Sequence, residues 1–142
     1  MMYKRIAALA VASLMTSLAV AQDAQAPQEL MIELNTLAST EQGCGMTFLI
    51  QNSLPQSIDT ISLQLVMFNA KGQVEKTIGL PFRDLPTGKD KVRQFNLPGL
   101  KCETIKGMLI NDITACEGNG VDKAICTKAL KTRSKTDVTL QG

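Results

Sequence analysis

From Leu30 onward apolar residues recur at every second position, and a period of two restricts the chain to strands rather than helices. Leu30–Leu37 places Leu30, Ile32 and Leu34 on one side, with Met31 and Glu33 opposite. Cys44–Gln51 places Cys44, Met46, Phe48 and Ile50 together, which puts Cys44 in a core layer where an inter-sheet disulfide is expected. Ile58–Phe68 is apolar on both faces, the mark of a strand that is central or covered twice. Val74–Leu80 returns after the turn signal Asn69-Ala70-Lys71-Gly72. In Lys89–Leu97, Val92 and Phe95 fall on opposite faces, as at a bulge or an edge. Thr104–Asn111 holds Ile105 and Leu109 on one face and Met108 and Ile110 on the other. Val121–Cys126 fits one helical turn, and Leu130–Leu140 reads as a single strand with one wet, basic face.

Seven or eight short strands of this kind, separated by Gly, Pro and Asn turns, predict an all-β, antiparallel β-sandwich of immunoglobulin-like size. A small β-barrel is the alternative. The four cysteines, Cys44, Cys102, Cys116 and Cys126, form an even set, which in an exported chain reads as two disulfides. Three pairings are possible. Cys116–Cys126 closes a short loop, leaving Cys44–Cys102 to span the domain. In the chain-entropy model these loops contribute roughly 3 and roughly 4 kcal/mol.

Export is indicated by residues 1–21. Lys4 and Arg5 precede an apolar run, Ile6–Val20, that ends in the small-x-small pattern Ala19-Val20-Ala21. This is the order of a cleavable signal peptide. The run is shorter than the ~20 apolar residues of a membrane span and carries Ser13, Thr16 and Ser17. No twin arginine precedes it and no cysteine stands at the cut, so Sec-type export without a lipid anchor is expected. Residues 22–29 read as a flexible polar segment and residues 30–142 as a single β domain, periplasmic or secreted. Removing Lys4 and Arg5 leaves 13 basic residues against 13 acidic ones, so nothing in the total charge favours nucleic acid.

The absence of histidine removes the usual general base and the commonest transition-metal ligand. There is no C-x-x-C, no G-x-S-x-G and no glycine-rich phosphate loop. Ser134 and Lys135 are adjacent, so on a strand they point apart and cannot pair. Glu33, Asp59, Asp84 and Asp112 read as surface or turn residues, and Met31, Met46, Met67 and Met108 as core filling. No catalytic residue, cofactor or metal site is therefore expected, and the chain is not read as an enzyme. One constellation remains. Lys89, Lys91 and Arg93 alternate along one strand and Lys131, Arg133 and Lys135 along another, each giving a short positive stripe. Such stripes serve either edge protection or the docking of an acidic partner.

The run Glu33-Leu34-Asn35, Cys44 with Thr47-Phe48 and Asn52, Leu85-Pro86-Thr87-Gly88, Val92-Arg93-Gln94-Phe95, Gly99 with Cys102, Leu109-Ile110-Asn111, then Cys116 and Cys126 covers most of the mature chain. It resembles a family of small exported proteins of alphaproteobacteria that has no assigned activity. The resemblance implies a periplasmic, disulfide-bonded domain. The expected function is a non-enzymatic binding or scaffolding domain whose partner is an envelope protein or acidic polymer. An envelope chaperone or assembly factor lending a strand edge, and a histidine-free hydrolase built on carboxylates, are the alternatives. No transmembrane segment is expected after cleavage.

Overall fold

A strand face that is apolar at every second residue is buried only by stacking on another such face, and the chain solves this with two sheets. The computed structural model describes residues 25–142; the signal-peptide assignment lies outside the described residues. Residues 25–29 carry no regular secondary structure. The strands are β1 (Leu30–Ser39), β2 (Gly43–Asn52), β3 (Ile58–Phe68), β4 (Val74–Leu85), β5 (Lys91–Pro98), β6 (Gly107–Glu117), β7 (Leu130–Ser134) and β8 (Thr139–Gln141). A 3-10 turn, Cys102–Thr104, precedes β6, and one helix, α1 (Lys123–Ala129), precedes β7.

The first sheet has the order β5-β2-β1-β7 and the second β4-β3-β6-β8. They pack as a β-sandwich, not a closed barrel. The inner ladders are antiparallel, and each sheet ends in one parallel pair, β1 with β7 and β6 with β8. Leu30, Ile32 and Leu34 of β1 and Phe48 and Ile50 of β2 meet Ile61, Leu63 and Leu65 of β3 in one buried core. Phe48, Phe82 and Phe95 stack edge to face, with ring centroids 5.6, 6.1 and 5.4 Å apart, and tie β2, β4 and β5 together across the two sheets.

Several expected boundaries shift for local reasons. Thr104–Lys106 precede the strand they were expected to open, because the Thr104 hydroxyl donates to Lys101 O at 2.8 Å and holds the 3-10 turn. Within β6 the register shifts twice against β3, so Met108, Ile110, Ile113 and Cys116 all face inward at uneven spacing while Leu109 faces out. Lys89 lies in the turn before β5, where Gly88 N–H donates to Asn52 O at 2.8 Å.

The C-terminal run expected as one strand is two. After Ser134 the chain turns from the first sheet into the second. The Ser134 hydroxyl accepts from Thr136 N at 3.1 Å and the Thr136 hydroxyl from Val138 N at 3.0 Å. These side-chain bonds satisfy amides that a bend takes away from a ladder. The inward parity is kept through the corner, so Val138 and Leu140 remain buried.

Cys44 is bonded to Cys102 and Cys116 to Cys126. The first bridge does not join strands of the two sheets, as the inward position of Cys44 had led us to expect. It ties β2 to the 3-10 turn in the connection from β5 to β6, at one end of the sandwich. The second ties α1 to β6. Since β8 pairs only with Gly107–Leu109, α1 lies against the remainder of the β6 edge, where Lys123 Nζ also meets Asp112 at 3.2 Å. A covered edge is closed to pairing with another chain.

Asn52, the last residue of β2, is 2% exposed and acts as a buried hub. Its Nδ2 donates to Gln56 O at 3.0 Å and Leu85 O at 2.9 Å, and its Oδ1 accepts from Leu54 N at 3.0 Å. The end of β2, the following loop and the end of β4 are thereby fastened to one side chain.

Candidate functional site

The two basic triplets lie at opposite edges of the first sheet and are not brought together: Lys91 and Arg93 are on β5 with Lys89 in the turn before it, and Lys131 and Arg133 are on β7 with Lys135 in the bend after it. In β5, Lys91 and Arg93 share the parity of Phe95 and Leu97, which turn toward the core. Arg93 is drawn into the seam between the sheets: Nη2 donates to Arg83 O on β4 at 2.6 Å, and Nη1 to Val92 O at 2.9 Å. Val92 takes the outward position and is exposed. The β5 triplet is therefore not an outward stripe. The signal was present in the sequence, since Arg93 stands two residues from an aromatic and four from a leucine.

The β7 triplet does face out. Lys131, Arg133 and Lys135 are exposed, with the half-buried Thr132 and Ser134 turned inward between them. The parallel register sets Arg133 beside Glu33 and Lys131 beside Met31. Glu33 is fully buried, against the expectation of a surface carboxylate, although it belongs to the outer face of the first sheet. It is covered by its partners: Arg133 Nε donates to Oε2, and Asn35 Nδ2 donates to Oε1 at 2.8 Å. The same guanidinium donates from Nη2 to Gln51 Oε1 at 3.1 Å, and Gln51 Nε2 donates to Asp90 Oδ2 at 3.0 Å. A line of polar side chains thus crosses the sheet from β7 through β1 and β2 to the turn before β5. Each member is held by the next, and the arginine on the open edge is ordered as a consequence.

The Asn35 hydrogen bond, then the Arg133 hydrogen bond and the Arg133 and Lys135 charges, hold the Glu33 carboxyl below its usual value of 4.5, against desolvation that pushes it up. A depressed folded-state pKa contributes stability above the unfolded value and loses it as pH falls through the folded value. In urea titrations from pH 6 to pH 3 the native chain should lose stability on the acid side, and Glu33→Gln should flatten that limb. An unchanged acid limb in the variant would show that Glu33 carries no such linkage. Arg133→Ala should cost about 1–2 kcal/mol, less than the loss of a fully buried pair, because Arg133 is itself 48% exposed and water can replace it.

On the same outer face an open groove of about 620 Å³ runs beneath the β1–β2 turn. Ala38 and Gly45, paired in register, form part of its floor, and Thr47, Gln94 and Asn96 line one side. Thr40 bends over it to donate to Asn96 Oδ1 at 3.1 Å. The lining mixes amide and hydroxyl groups with the apolar Ala38, Met46 and Phe95, and Glu41 is its charged member.

The other three acids singled out in the sequence are spread over the second sheet: Asp59 on β3, Asp84 on β4 and Asp112 on β6, the last paired with Lys123. Glu33 is on the other sheet and is engaged by Arg133. Met46, Met67 and Met108 are buried in the core, while Met31 is half-buried on the outer face. Among the described residues no three His, Cys, Asp or Glu side chains group to hold a metal, and no helix is long and apolar enough to cross a membrane.

No protein-family model and no curated protein matches the chain. A solved structure of IrmA from Escherichia coli is similar, with a TM-score of 0.52 over 73% of this chain and 90% of that chain at 13% identity. That likeness concerns the fold alone.

Proposed function

We propose that the protein is an exported, non-enzymatic binding or scaffolding domain that engages an acidic envelope partner through the outward stripe of β7. The observation that carries the reading is the pairing of a buried carboxylate with the central base of that stripe: Glu33, itself held by Asn35, fixes Arg133 between Lys131 on the same edge strand and Lys135 in the bend that follows it, both exposed. An ordered arginine flanked by lysines presents charge without the full entropy cost of immobilising three long side chains on binding. Export is supported by the leader pattern of residues 1–21, by the two disulfides, and by the resemblance to exported alphaproteobacterial proteins. The β5 triplet is left out of the reading because Arg93 is spent on the seam.

The test is retention on immobilised poly-L-glutamate at low salt. The mature chain should be held and should elute as salt rises. The double variant K131E/K135E should elute at least threefold earlier in salt; its urea midpoint, which falls because the Lys135 charge helps hold Glu33 ionised, is measured beside it to show that the variant is folded. Equal retention of the two proteins would remove the stripe from the function.

A further inference from the structure

Resting on the reading that β7 recruits an acidic partner, we infer that the element recognised is an extended acidic peptide segment, added to β7 as a fifth strand of the first sheet. β7 pairs with β1 on one side and, among the described residues, with no strand on the other. The ladder is parallel, and Lys135 N–H donates to Leu34 O at 2.9 Å, which fixes its phase. In a parallel pair a residue that turns its N–H to a neighbour turns its C=O there too. Lys131, Arg133 and Lys135 therefore direct their backbone groups at β1, and those of Thr132, with the Ser134 N–H, are directed at the open edge. An incoming strand meets unpaired donors and an acceptor at strand spacing.

On the outer face of that edge Lys131 and Arg133 stand two residues apart, about 6.6 Å, with Lys135 following at the start of the bend and Arg133 paired to Glu33. A strand paired there sets its own alternate side chains about 4.5–5.5 Å from these bases, on the same face. Carboxylates at alternate positions match the stripe in period as well as in sign. A folded acidic surface or a disordered acidic coil matches it in sign alone. The two other long edges are less suited: β4 carries Pro81, which has no N–H to give, and its Arg83 carbonyl already accepts from Arg93, while on β5 the Val92 carbonyl accepts from the same guanidinium. Protection of the β7 edge by lysines accounts for the rejection of neutral and basic strands. It does not account for a central arginine anchored on a buried carboxylate, which a deterrent has no need to order.

The experiment uses the acetylated, amidated heptapeptide Thr-Glu-Val-Glu-Val-Glu-Thr and two analogues methylated on alternate backbone nitrogens, one in each phase. All three carry the same charge. In titrations of the mature protein at low salt, the unmodified peptide should bind at least tenfold tighter than one of the methylated analogues. K131E/K135E should weaken it at least tenfold, and the amides of Thr132 and Ser134 should gain protection from hydrogen exchange. Equal binding of all three peptides, with no protection, would overturn strand addition and leave the acidic-partner reading standing. Binding of none, with retention on poly-L-glutamate also absent, would overturn both. Binding only to phosphatidylglycerol vesicles would replace the peptide by a membrane surface and overturn the inference.

Discussion

Replacing Cys44 and Cys102 together by alanine should lower the stability of the mature chain by roughly 4 kcal/mol, the unfolded-state entropy released when a loop of 58 residues is opened. At about 4 °C per kcal/mol for a chain of this length, the thermal midpoint should fall by about 15 °C. Opening the ten-residue Cys116–Cys126 loop should cost less, roughly 3 kcal/mol on the same model, although it releases α1 from the β6 edge. The ranking is the informative result, because it separates two explanations. If the bridges act on the unfolded chain, the long loop matters more. If they act by holding native elements in place, the short one does, since Cys126 fastens the helix that covers a strand edge and Cys102 fastens only a turn. Urea unfolding of the two double variants measures both costs, and a larger loss for Cys116–Cys126 would sink the loop-length account. Either loss is a large part of the 5–15 kcal/mol by which a domain of this size is stable.

The strands were legible because burial on one side imposes a period that the sequence must show. Ile58–Phe68 was readable to the residue, and its two apolar faces have a plain cause: β3 is central in its sheet, with Val66 and Phe68 half-buried among neighbouring strands. What stayed hidden was whatever depends on partners distant in sequence. The break after Ser134 is invisible to periodicity, since a chain that turns a corner without losing its inward parity keeps alternating. Glu33 stands between Ile32 and Leu34 with the parity of a solvated face, and nothing local tells that Arg133, a hundred residues on, will cover it. Lys91 and Arg93 are the converse: Phe95 and Leu97 announced their parity, but a charge stripe is drawn by counting bases and takes no account of which side of an edge strand they share. The placement of the basic triplets was therefore half legible. One triplet faces outward, and of the other Arg93 is drawn into the seam.

Asn52→Asp should be the most damaging isosteric substitution in the chain, and its cost should depend on pH. The side chain now donates to Gln56 O and Leu85 O and accepts from Leu54 N, all in a site that excludes water. A carboxylate of the same shape keeps only the last of these bonds. It leaves two carbonyls without donors, at about 1–3 kcal/mol each, and sets a buried charge against their oxygens. A loss of about 3 kcal/mol or more at pH 7 is expected. Burial and the two carbonyls both disfavour the ionised form, so the introduced group titrates in the folded protein above its unfolded value of about 3.9. The sign then follows: the penalty is least below the unfolded pKa, where the acid is protonated in both states and can donate to one carbonyl, and it grows as pH rises through the folded pKa. The stability difference between native chain and variant, measured by urea unfolding at pH 7 and again at pH 4, should shrink on acidification, the Glu33 linkage being common to both and cancelling in the difference. The opposite trend, or none, would mean that water reaches Asn52 and that the ends of β2 and β4 are not fastened through it. Asn52→Ser, which retains a donor but is too short for both carbonyls, should lie between the two.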